Sequence, residues 1–279
     1  MDTGAVYGGI LIMPELPEVQ TVLSGVIQKL GSRQLLGLEC YYPGTVIDKH
    51  DLRDQAFPAK LRQGYRRGKY MILELASGFA LIIHLRMTGK LVWDEDDGEP
   101  KAHERAAIPV EGGFRLRFID IRTFGKITLL PTLQVREALP KLGAEPLQLG
   151  FGAAYLSDRI GKSKRPIKTA LLDQSVVAGL GNIYACEILY EAGVDPFKPC
   201  NELSGDDFDR IVAATKLILA QALMHNGTSI SDFRRVDDKT GGFQNFLKVY
   251  QRESCPQGHE VQKVKQAGRS TYLCPICQK

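Results

Sequence analysis

Long apolar runs are scarce in this sequence, and their scarcity excludes a large class of proteins. The longest, Ala80–Leu85 and Ile127–Pro131, fall far short of the roughly 18 residues that a membrane-spanning helix needs. Cysteine is also scarce, because six in 279 residues are too few for a disulfide framework. The amino terminus carries Asp2 where a secretory leader would be basic. We therefore expect a protein of the reducing cytoplasm that makes no membrane contact.

Charge of one sign is not in large excess either. The formal net charge of +4 neither requires nor excludes a polyanionic partner. The distribution of the charges is more informative, because basic residues concentrate in three segments that hold few acids. One such cluster is usually solvated surface, but three together favour a face that contacts phosphates. The basic residues are Lys60, Arg62, Arg66, Arg67 and Lys69; Arg159, Lys162, Lys164, Arg165 and Lys168; and Lys248, Arg252, Lys263, Lys265, Arg269 and Lys279.

The amino-terminal half combines one amphipathic helix with a series of short strands. Apolar residues recur at three- and four-residue steps from Pro17 to Leu30, which predicts a helix that ends before Gly31. From about residue 37 to residue 130, alternating or fully apolar runs are separated by glycines and charged turns, which predicts a β-sandwich or barrel. The clearest predicted strands are 70–75, 79–85, 114–119 and 126–130.

The carboxy-terminal half is predicted to be helical, and the change falls near residues 140–152. Asn182–Glu191 predicts one helix, which follows a tight Gly-Leu-Gly turn. Ser204 and Asp207 have the spacing of a capping box, and the apolar periodicity after them predicts a helix that ends at Asn226. The overall composition, 44% hydrophobic and 24% charged, is typical of globular domains.

Residues with metal-ligand spacing are found at the end of the chain. Three residues separate Cys255 from His259, two separate Cys274 from Cys277, and fourteen lie between the pairs. Three thiolates and one imidazole suit a tetrahedral zinc ion. The alternation of residues 260–273 predicts a β-hairpin between the pairs, with its turn at Ala267 and Gly268. The alternative is a chance cluster of these residues in a flexible tail. A zinc unit of this small size would need its metal to fold.

Eight motifs stand in a fixed order along the chain. The first is Met13-Pro14-Glu15-Leu16-Pro17-Glu18, which alone would be only a proline-rich start of a helix. The seven that follow are Arg66-Arg67-Gly68-Lys69-Tyr70, Ile83–Gly89, Asp120–Gly125, Leu142–Leu147, Ile167-Lys168, Gly181–Ala185 and the terminal zinc unit. Together they resemble the formamidopyrimidine-DNA glycosylase family, bacterial repair enzymes that act on 8-oxoguanine, and the resemblance covers residues 13–279.

The resemblance implies catalytic roles for three residues. In this family a mature amino-terminal proline attacks the deoxyribose C1′ and expels the damaged base, which assigns the nucleophile to Pro14. Glu15 is implied as the general acid and base, and Lys69 as the lysine that contacts the phosphates flanking the lesion. β-Elimination and then δ-elimination would follow. Glu18 matches a second acidic residue of the family's site, although a glutamate in a first helical turn needs no functional explanation.

The resemblance also implies which residues contact DNA. Met87, Arg122 and Phe124 match the family's void-filling triad, which fills the gap left by the extruded base and contacts the orphaned cytosine. Lys168 matches the lysine that helps to recognise the oxidised purine. Residues 228–242 match the loop that closes over the extruded base, and we expect this loop to be poorly ordered without DNA. Further lesion or phosphate contacts are implied for His103, Asn182 and Arg269.

Three positions depart from the family pattern. Twelve residues precede Met13, which corresponds to the family's start methionine, and an attached extension would make the Pro14 nitrogen a tertiary amide that cannot attack. We expect these residues and Met13 to be non-native or removed. Gly258 occupies the place of the family's second zinc cysteine, so we expect His259 to be the ligand instead. Thr123 stands where arginine is common, which would weaken one phosphate contact.

The sequence therefore predicts an α+β protein: an N-terminal β-sandwich domain with flanking helices, and a C-terminal helical helix-two-turn-helix domain with a zinc-finger β-hairpin. The predicted function is that of a bifunctional DNA glycosylase and abasic-site lyase that excises oxidised purines. The expected cofactor is one structural zinc ion. The expected partner is double-stranded DNA with oxidised purines or abasic sites, bound by a monomer at the nucleoid. The predicted divisions are an extension (1–13), a catalytic domain (14–145), a helix-two-turn-helix domain (146–245) and a zinc finger (246–279).

Other functions stay open on the sequence alone. The endonuclease VIII branch of the same fold prefers oxidised pyrimidines, but Leu16, the void-filling triad and Lys168 favour the purine branch. A protein that binds damaged DNA or chromatin without catalysis would keep the helices and the zinc unit and would have lost its nucleophile through the extension. A zinc ribbon with no DNA function would explain residues 255–277 alone.

Overall fold

The fold is known from a computed structural model that describes residues 13–96, 98–228, 236–237 and 241–279. The predicted extension up to residue 12, and most of the predicted closing loop at 228–242, lie outside the described residues. The helices are α1 (Leu16–Leu30), α2 (Arg53–Ala56), α3 (Val135–Ala138), α4 (Ala153–Ile160), α5 (Ile167–Leu171), α6 (Asn182–Glu191) and α7 (Gly205–Met224). The strands are β1 (Gln34–Leu35), β2 (Glu39–Cys40), β3 (Val46–Ile47), β4 (Ala59–Arg67), β5 (Tyr70–Leu75), β6 (Phe79–His84), β7 (Gly89–Asp94), β8 (Glu104–Val110), β9 (Phe114–Asp120), β10 (Lys126–Pro131), β11 (Gln262–Gln266) and β12 (Arg269–Leu273).

The first ten strands form the sheet of the amino-terminal half. Their order is β3-β10-β6-β5-β4-β1-β8-β9-β7, with β2 beside β8. Neighbours are antiparallel except for β10 and β3, which run parallel. Short strand β1 joins the two halves of this sheet, because Gln34 lies opposite Lys60 of β4 and Leu35 lies opposite Val110 of β8. Apolar side chains of both halves, such as Leu81 and Leu116, fill one core between them, so the predicted β-sandwich is confirmed.

Helix α1 belongs to both halves of the molecule. Its residues from Val19 to Leu30 pack into the core of the sandwich, whereas Leu16 packs into a second core formed by the carboxy-terminal helices. The backbone is tied in the same way, since the N–H of Leu16 donates to the carbonyl of Gly179 at 3.0 Å. Residues 14–18 therefore lie at the boundary between the two cores, where clefts usually form.

The carboxy-terminal half is helical, as the sequence predicts, and the zinc hairpin packs on it. The capping box of α7 is present: the side chain of Ser204 accepts from the N–H of Asp207 at 3.1 Å, and Asp207 accepts from the N–H of Ser204 at 2.9 Å. Strands β11 and β12 pair through a turn in which Ala267 and Gly268 adopt φ of 46° and 79°. Tyr272 of β12 is buried in the helical core. Within the part of the chain that the structure describes, no helix is long and apolar enough to cross a bilayer.

Candidate active site

Glu15 is fixed at the amino terminus of α6. Its carboxylate accepts hydrogen bonds from the N–H of Gly181 at 2.6 Å and of Ile183 at 2.9 Å. A helix leaves its first N–H groups without partners inside the helix, so a carboxylate from another part of the chain can bind them. Glu15 is almost completely buried. Burial raises the pKa of Glu15 to about 7, the charge of Lys69 opposes that rise, and the charge of Glu18 adds to it.

Glu18 is the second buried carboxylate of the cluster. One of its oxygens accepts from the N–H of Glu15 at 2.9 Å, and the other accepts from the Tyr184 hydroxyl and the Thr228 N–H, each at 2.6 Å. Burial raises the pKa of Glu18, and these hydrogen bonds oppose the rise. Gly227 must be glycine here, because it has φ of 77° and a Cβ would lie 2.7 Å from a Glu18 oxygen. Glu18 thus links α1, α6 and the residues after α7.

Lys69 lies in the two-residue turn between β4 and β5, which Glu145 holds in place. The Glu145 carboxylate accepts from Arg66 at 2.6 Å, from Arg67 at 2.9 Å and from the N–H of Gly68 at 2.6 Å. Burial lowers the pKa of Lys69, and the charges of Glu15 and Glu18 oppose that fall. The motif residues of two distant segments therefore meet in one cluster of two acids and one lysine.

This cluster can move protons near neutral pH. A group with a pKa of about 7 is present in both protonation states at pH 7, so Glu15 can donate a proton in one step and accept one in another. Pro14 is buried directly before Glu15, where it leads into α1. A carboxyl group and an adjacent proline thus lie at the boundary of the two cores, on an anchored helix terminus.

Lys168 and Asn182 tie the zinc hairpin to the helices. The ammonium of Lys168 donates to the Asn182 side-chain carbonyl at 2.7 Å and to the Thr271 hydroxyl at 2.9 Å. The Asn182 amide donates to the carbonyl of Ser270 at 2.9 Å. Lys168 is only 1% exposed, so in this structure its ammonium contacts the protein and not solvent. Arg269 is exposed at the start of β12, one residue before Ser270.

Arg122 contacts both Met87 and Phe124, and the three residues lie on two loops of the sandwich. Arg122 donates from Nη1 to the Met87 sulfur at 3.6 Å, and its guanidinium lies 4.8 Å from the centre of the Phe124 ring. Met87 is half-buried between β6 and β7, and Phe124 is 48% exposed between β9 and β10. The structure thus places both residues on loops, with Phe124 the more exposed of the two.

His103 contacts Arg105, which in turn binds the end of β9, directly before the loop of Arg122 and Phe124. The Arg105 guanidinium donates to the carbonyl of Asp120 at 2.7 Å and lies 3.4 Å from Nδ1 of His103. It also lies 5.0 Å from the centre of the exposed Tyr42 ring. His103 itself is exposed, with φ of 62°. Arg105 therefore brings His103 and Tyr42 together beside the end of β9, from which the loop of Arg122 and Phe124 starts.

The four predicted metal ligands converge at the base of the zinc hairpin. Their ligand atoms lie within 4.8 Å of one another, and Nδ1 of His259 lies 3.8 Å from the Cys255 sulfur and 3.3 Å from the Cys277 sulfur. Zn–S bonds of about 2.3 Å at a tetrahedral centre give sulfur separations of roughly 3.8 Å, so the donor set fits zinc. Gly258, with φ of 81°, makes the turn that brings His259 to this centre. The predicted ligand set of Cys255, His259, Cys274 and Cys277 is confirmed as a cluster that suits one structural zinc ion.

Comparison with known protein families decides the identity of this arrangement. The sequence models of the formamidopyrimidine-DNA glycosylase N-terminal domain and H2TH domain match residues 13–127 and 142–234. The chain belongs to the formamidopyrimidine-DNA glycosylase family. A further model, a zinc finger found in FPG and IleRS, matches residues 258–279. The predicted domain divisions stay predictions.

Named members of the family are similar over nearly the whole chain. A formamidopyrimidine-DNA glycosylase of Desulfitobacterium hafniense is 38% identical over 273 residues, covering 95% of this chain and 100% of the relative. One of Synechocystis is 41% identical over 285 residues, covering 95% of this chain and 98% of the relative. The chain is therefore an enzyme of base excision repair, a DNA glycosylase with abasic-site lyase activity.

Solved structures of the family share the fold and were determined with DNA. A Lactococcus lactis FPG mutant in complex with a Fapy-dG-containing DNA has a TM-score of 0.89 and 35% identity, covering 95% of this chain and 100% of that chain. Lactococcus lactis Fpg in complex with an abasic-site-containing DNA has a TM-score of 0.88 and 34% identity, covering 95% of this chain and 99% of that chain. The partner of a glycosylase of this family is DNA.

Several residues of the site have no role predicted from the sequence. Tyr184, Asp120 and Thr88 all lie inside the matched motifs, and that position was the only signal that could have found them. Another is His84, whose pKa is lowered to about 3 by burial and by the charges of Arg86 and Lys69, so that its imidazole stays neutral. Contacts between distant segments decide these environments, and local patterns do not reveal them.

Proposed function

We propose that this glycosylase excises oxidised purines, 8-oxoguanine and formamidopyrimidines, through a Schiff base on Pro14 and then cleaves the strand by β,δ-elimination. The observation that carries the proposal is Glu15, a buried carboxyl group with a pKa of about 7 next to Pro14. The names of the relatives and the Fapy-dG and abasic-site DNA in the related complexes support this substrate class.

The mechanism requires the Pro14 nitrogen to be a free secondary amine. A proline amide has no available lone pair, so residues 1–13 must be absent from the active protein. Two findings support a functional start at Met13: the family model matches from residue 13, and the whole Desulfitobacterium relative aligns with 95% of this chain. An α-amino group has a reference pKa of about 8, and the amino terminus of α1 favours its neutral, nucleophilic form.

Each step of the reaction can be assigned to this cluster. The amine attacks C1′, the damaged base leaves with the electrons of the glycosidic bond, and the proton of the resulting ammonium passes to the departing base. Glu15 protonates O4′ as the sugar ring opens, which leaves an iminium between Pro14 and C1′. The iminium acidifies the C2′ proton, which passes to the Glu15 carboxylate, and the 3′ phosphate leaves with the electrons of its C3′–O bond. A second elimination expels the 5′ phosphate, and water then releases Pro14 from the remaining sugar fragment.

The remaining predicted residues would hold the DNA in the reactive position. Lys69, Asn182 and Arg269 are proposed to bind the phosphates around the lesion. Lys168, which donates to the Asn182 side chain in this structure, is proposed to help recognise the oxidised purine. His103 is proposed to contact the backbone beside the triad. Met87, Arg122 and Phe124 are proposed to fill the space left by the extruded nucleotide. The zinc ion would hold the hairpin that carries Arg269.

Base release from defined duplexes tests this function. Protein that begins at Pro14 is incubated with duplexes that carry 8-oxoguanine or 5-hydroxyuracil opposite the appropriate base, and released base and strand ends are measured. We expect faster release of 8-oxoguanine and a one-nucleotide gap with phosphate at both ends. Faster release of the pyrimidine would assign the enzyme to the endonuclease VIII specificity. No release of either base would favour a protein that only binds damaged DNA.

A further inference from the structure

The two loops that carry the triad share a buried polar pair. The first loop, residues 85–88, joins β6 to β7 and holds Met87; the second, residues 121–125, joins β9 to β10 and holds Arg122 and Phe124. Asp120 is the last residue of β9 and Thr88 directly precedes β7, and they are 0% and 6% exposed. The Thr88 hydroxyl donates to the Asp120 carboxylate.

Asp120 and Thr88 together accept from two N–H groups of the second loop. The Asp120 carboxylate accepts from the N–H of Gly125 at 2.7 Å and from the N–H of Arg122 at 3.2 Å. The Thr88 hydroxyl oxygen also accepts from the N–H of Arg122, at 3.1 Å. A side chain of the first loop therefore binds the backbone of the second at the residue that carries the guanidinium.

Both loops contain a non-glycine residue in the left-handed region. Arg86 has φ of 56° and Thr123 has φ of 61°. Such conformations are unfavourable for residues that carry a Cβ, and they persist where the surroundings fix them. Space is also restricted, because a Cβ on Gly125 would lie 2.4 Å from the Phe118 ring and one on Gly89 would lie 2.4 Å from the Leu85 carbonyl oxygen. The loops thus have one packed arrangement, which the buried pair holds.

We propose that Thr88 and Asp120 are positioning residues that couple the two loops, so that Met87, Arg122 and Phe124 enter the duplex as one preassembled unit. Arg122 already contacts both Met87 and Phe124 without DNA, and the buried pair joins the two loops that carry them. Preorganisation of this kind lowers the entropy that is lost when DNA orders the loops. The inference rests on the proposed void-filling role of the triad.

Thr88→Val tests the coupling with little change of shape, and Thr88→Ser restores the hydroxyl. Thr215→Val is the matched control, since Thr215 is also buried but its hydroxyl donates to Ile211 within its own helix. Excision of 8-oxoguanine from a duplex is compared with cleavage of a single-stranded abasic oligonucleotide, which leaves no gap to fill. The ratio of excision opposite cytosine to excision opposite adenine is also measured.

We expect Thr88→Val to slow duplex excision by about tenfold, the fold-change that corresponds to losing a buried hydrogen bond. It should reduce the preference for cytosine, while single-stranded cleavage stays within about twofold of the wild type, a difference below 1 kcal/mol. Thr88→Ser should behave as wild type. The coupling would be refuted if Thr88→Val matched Thr215→Val on the duplex, or if it slowed both substrates equally. Unchanged duplex excision in Arg122→Ala would instead refute the triad's role.

Discussion

Two opposing influences set the chemistry of Glu15 at the residue scale. Burial raises its pKa to about 7, while the Lys69 charge and the N–H groups of Ile183 and Gly181 favour the carboxylate. Full burial without these partners would keep the group neutral, and full exposure would keep it ionised. The pKa therefore depends on residues from three segments that meet at one helix terminus.

Replacing Glu15 by glutamine should separate its two effects, on rate and on stability. Glutamine cannot transfer a proton, so base excision should fall by about 10²- to 10⁴-fold. The pKa of the wild-type carboxyl is 4.5 in the unfolded chain and about 7 in the folded protein. Because the folded protein favours the neutral carboxyl, the free energy of unfolding is highest below pH 4.5 and falls as the pH rises from 4.5 to 7. Glu15→Gln should therefore gain melting temperature relative to wild type between pH 5 and pH 8. A constant difference across this range would contradict the raised pKa.

The roles of single residues could be predicted from the sequence only through motif position. Pro14 and Glu15 were assigned by family resemblance, and Glu18 had a sufficient explanation as a first-turn helix residue. The structure shows Glu18 bound by the Tyr184 hydroxyl, a contact across 166 residues of chain. No local pattern carries information about a contact of that separation.

At the scale of elements, local patterns predict the type and position of several helices and strands. The helices predicted at 17–30 and 182–191 are observed at Leu16–Leu30 and Asn182–Glu191, and the strand predicted at 70–75 is observed at Tyr70–Leu75. These elements repeat an apolar period that their own residues contain. The order of strands could not be predicted, because the β1–β4 and β1–β8 pairings that close the sandwich depend on distant partners.

At the start of α6, Gly181 has no room for a side chain. A Cβ on Gly181 would lie 2.4 Å from the carboxyl carbon of Glu15, so Gly181→Ala should displace that carboxylate and slow base excision by at least about tenfold, or about 1.4 kcal/mol. Gly152→Ala is the matched control, because Gly152 also precedes a helix in extended conformation and has no atom near its Cβ position. Single-turnover rates of both variants check the prediction, and equal rates would contradict it.

At the scale of the whole molecule, buried polar contacts fix the zinc hairpin, and the segment that precedes it, to the helices. The carboxylate of Glu187, which is fully buried, accepts from the N–H groups of Lys248, Val249 and Tyr250 at 2.7, 3.0 and 2.7 Å. Lys168 and Asn182 hold the other side of the hairpin at Ser270 and Thr271. The hairpin, the helices and Glu15 are thereby connected through one element. The sequence predicted the hairpin but not this attachment.

Loss of one zinc ligand should therefore affect DNA binding at a distance. His259→Ala should release the metal and weaken binding to an abasic-site duplex, because Arg269 loses the fold that positions it. His259→Cys should retain zinc, and His50→Ala, at an exposed histidine, should leave metal content and affinity unchanged. Zinc content by atomic spectroscopy and affinity at fixed salt are the measurements. Full zinc content in His259→Ala would remove His259 from the ligand set.

The attacking atom is the central claim, and identifying the residue that carries trapped DNA tests it most directly. Protein that begins at Pro14 is mixed with an abasic-site duplex and borohydride, digested, and analysed by mass spectrometry. The account predicts a reduced adduct on the nitrogen of Pro14, and no adduct when residues 1–13 remain attached. An adduct on Lys69, or equal trapping with the extension in place, would contradict it.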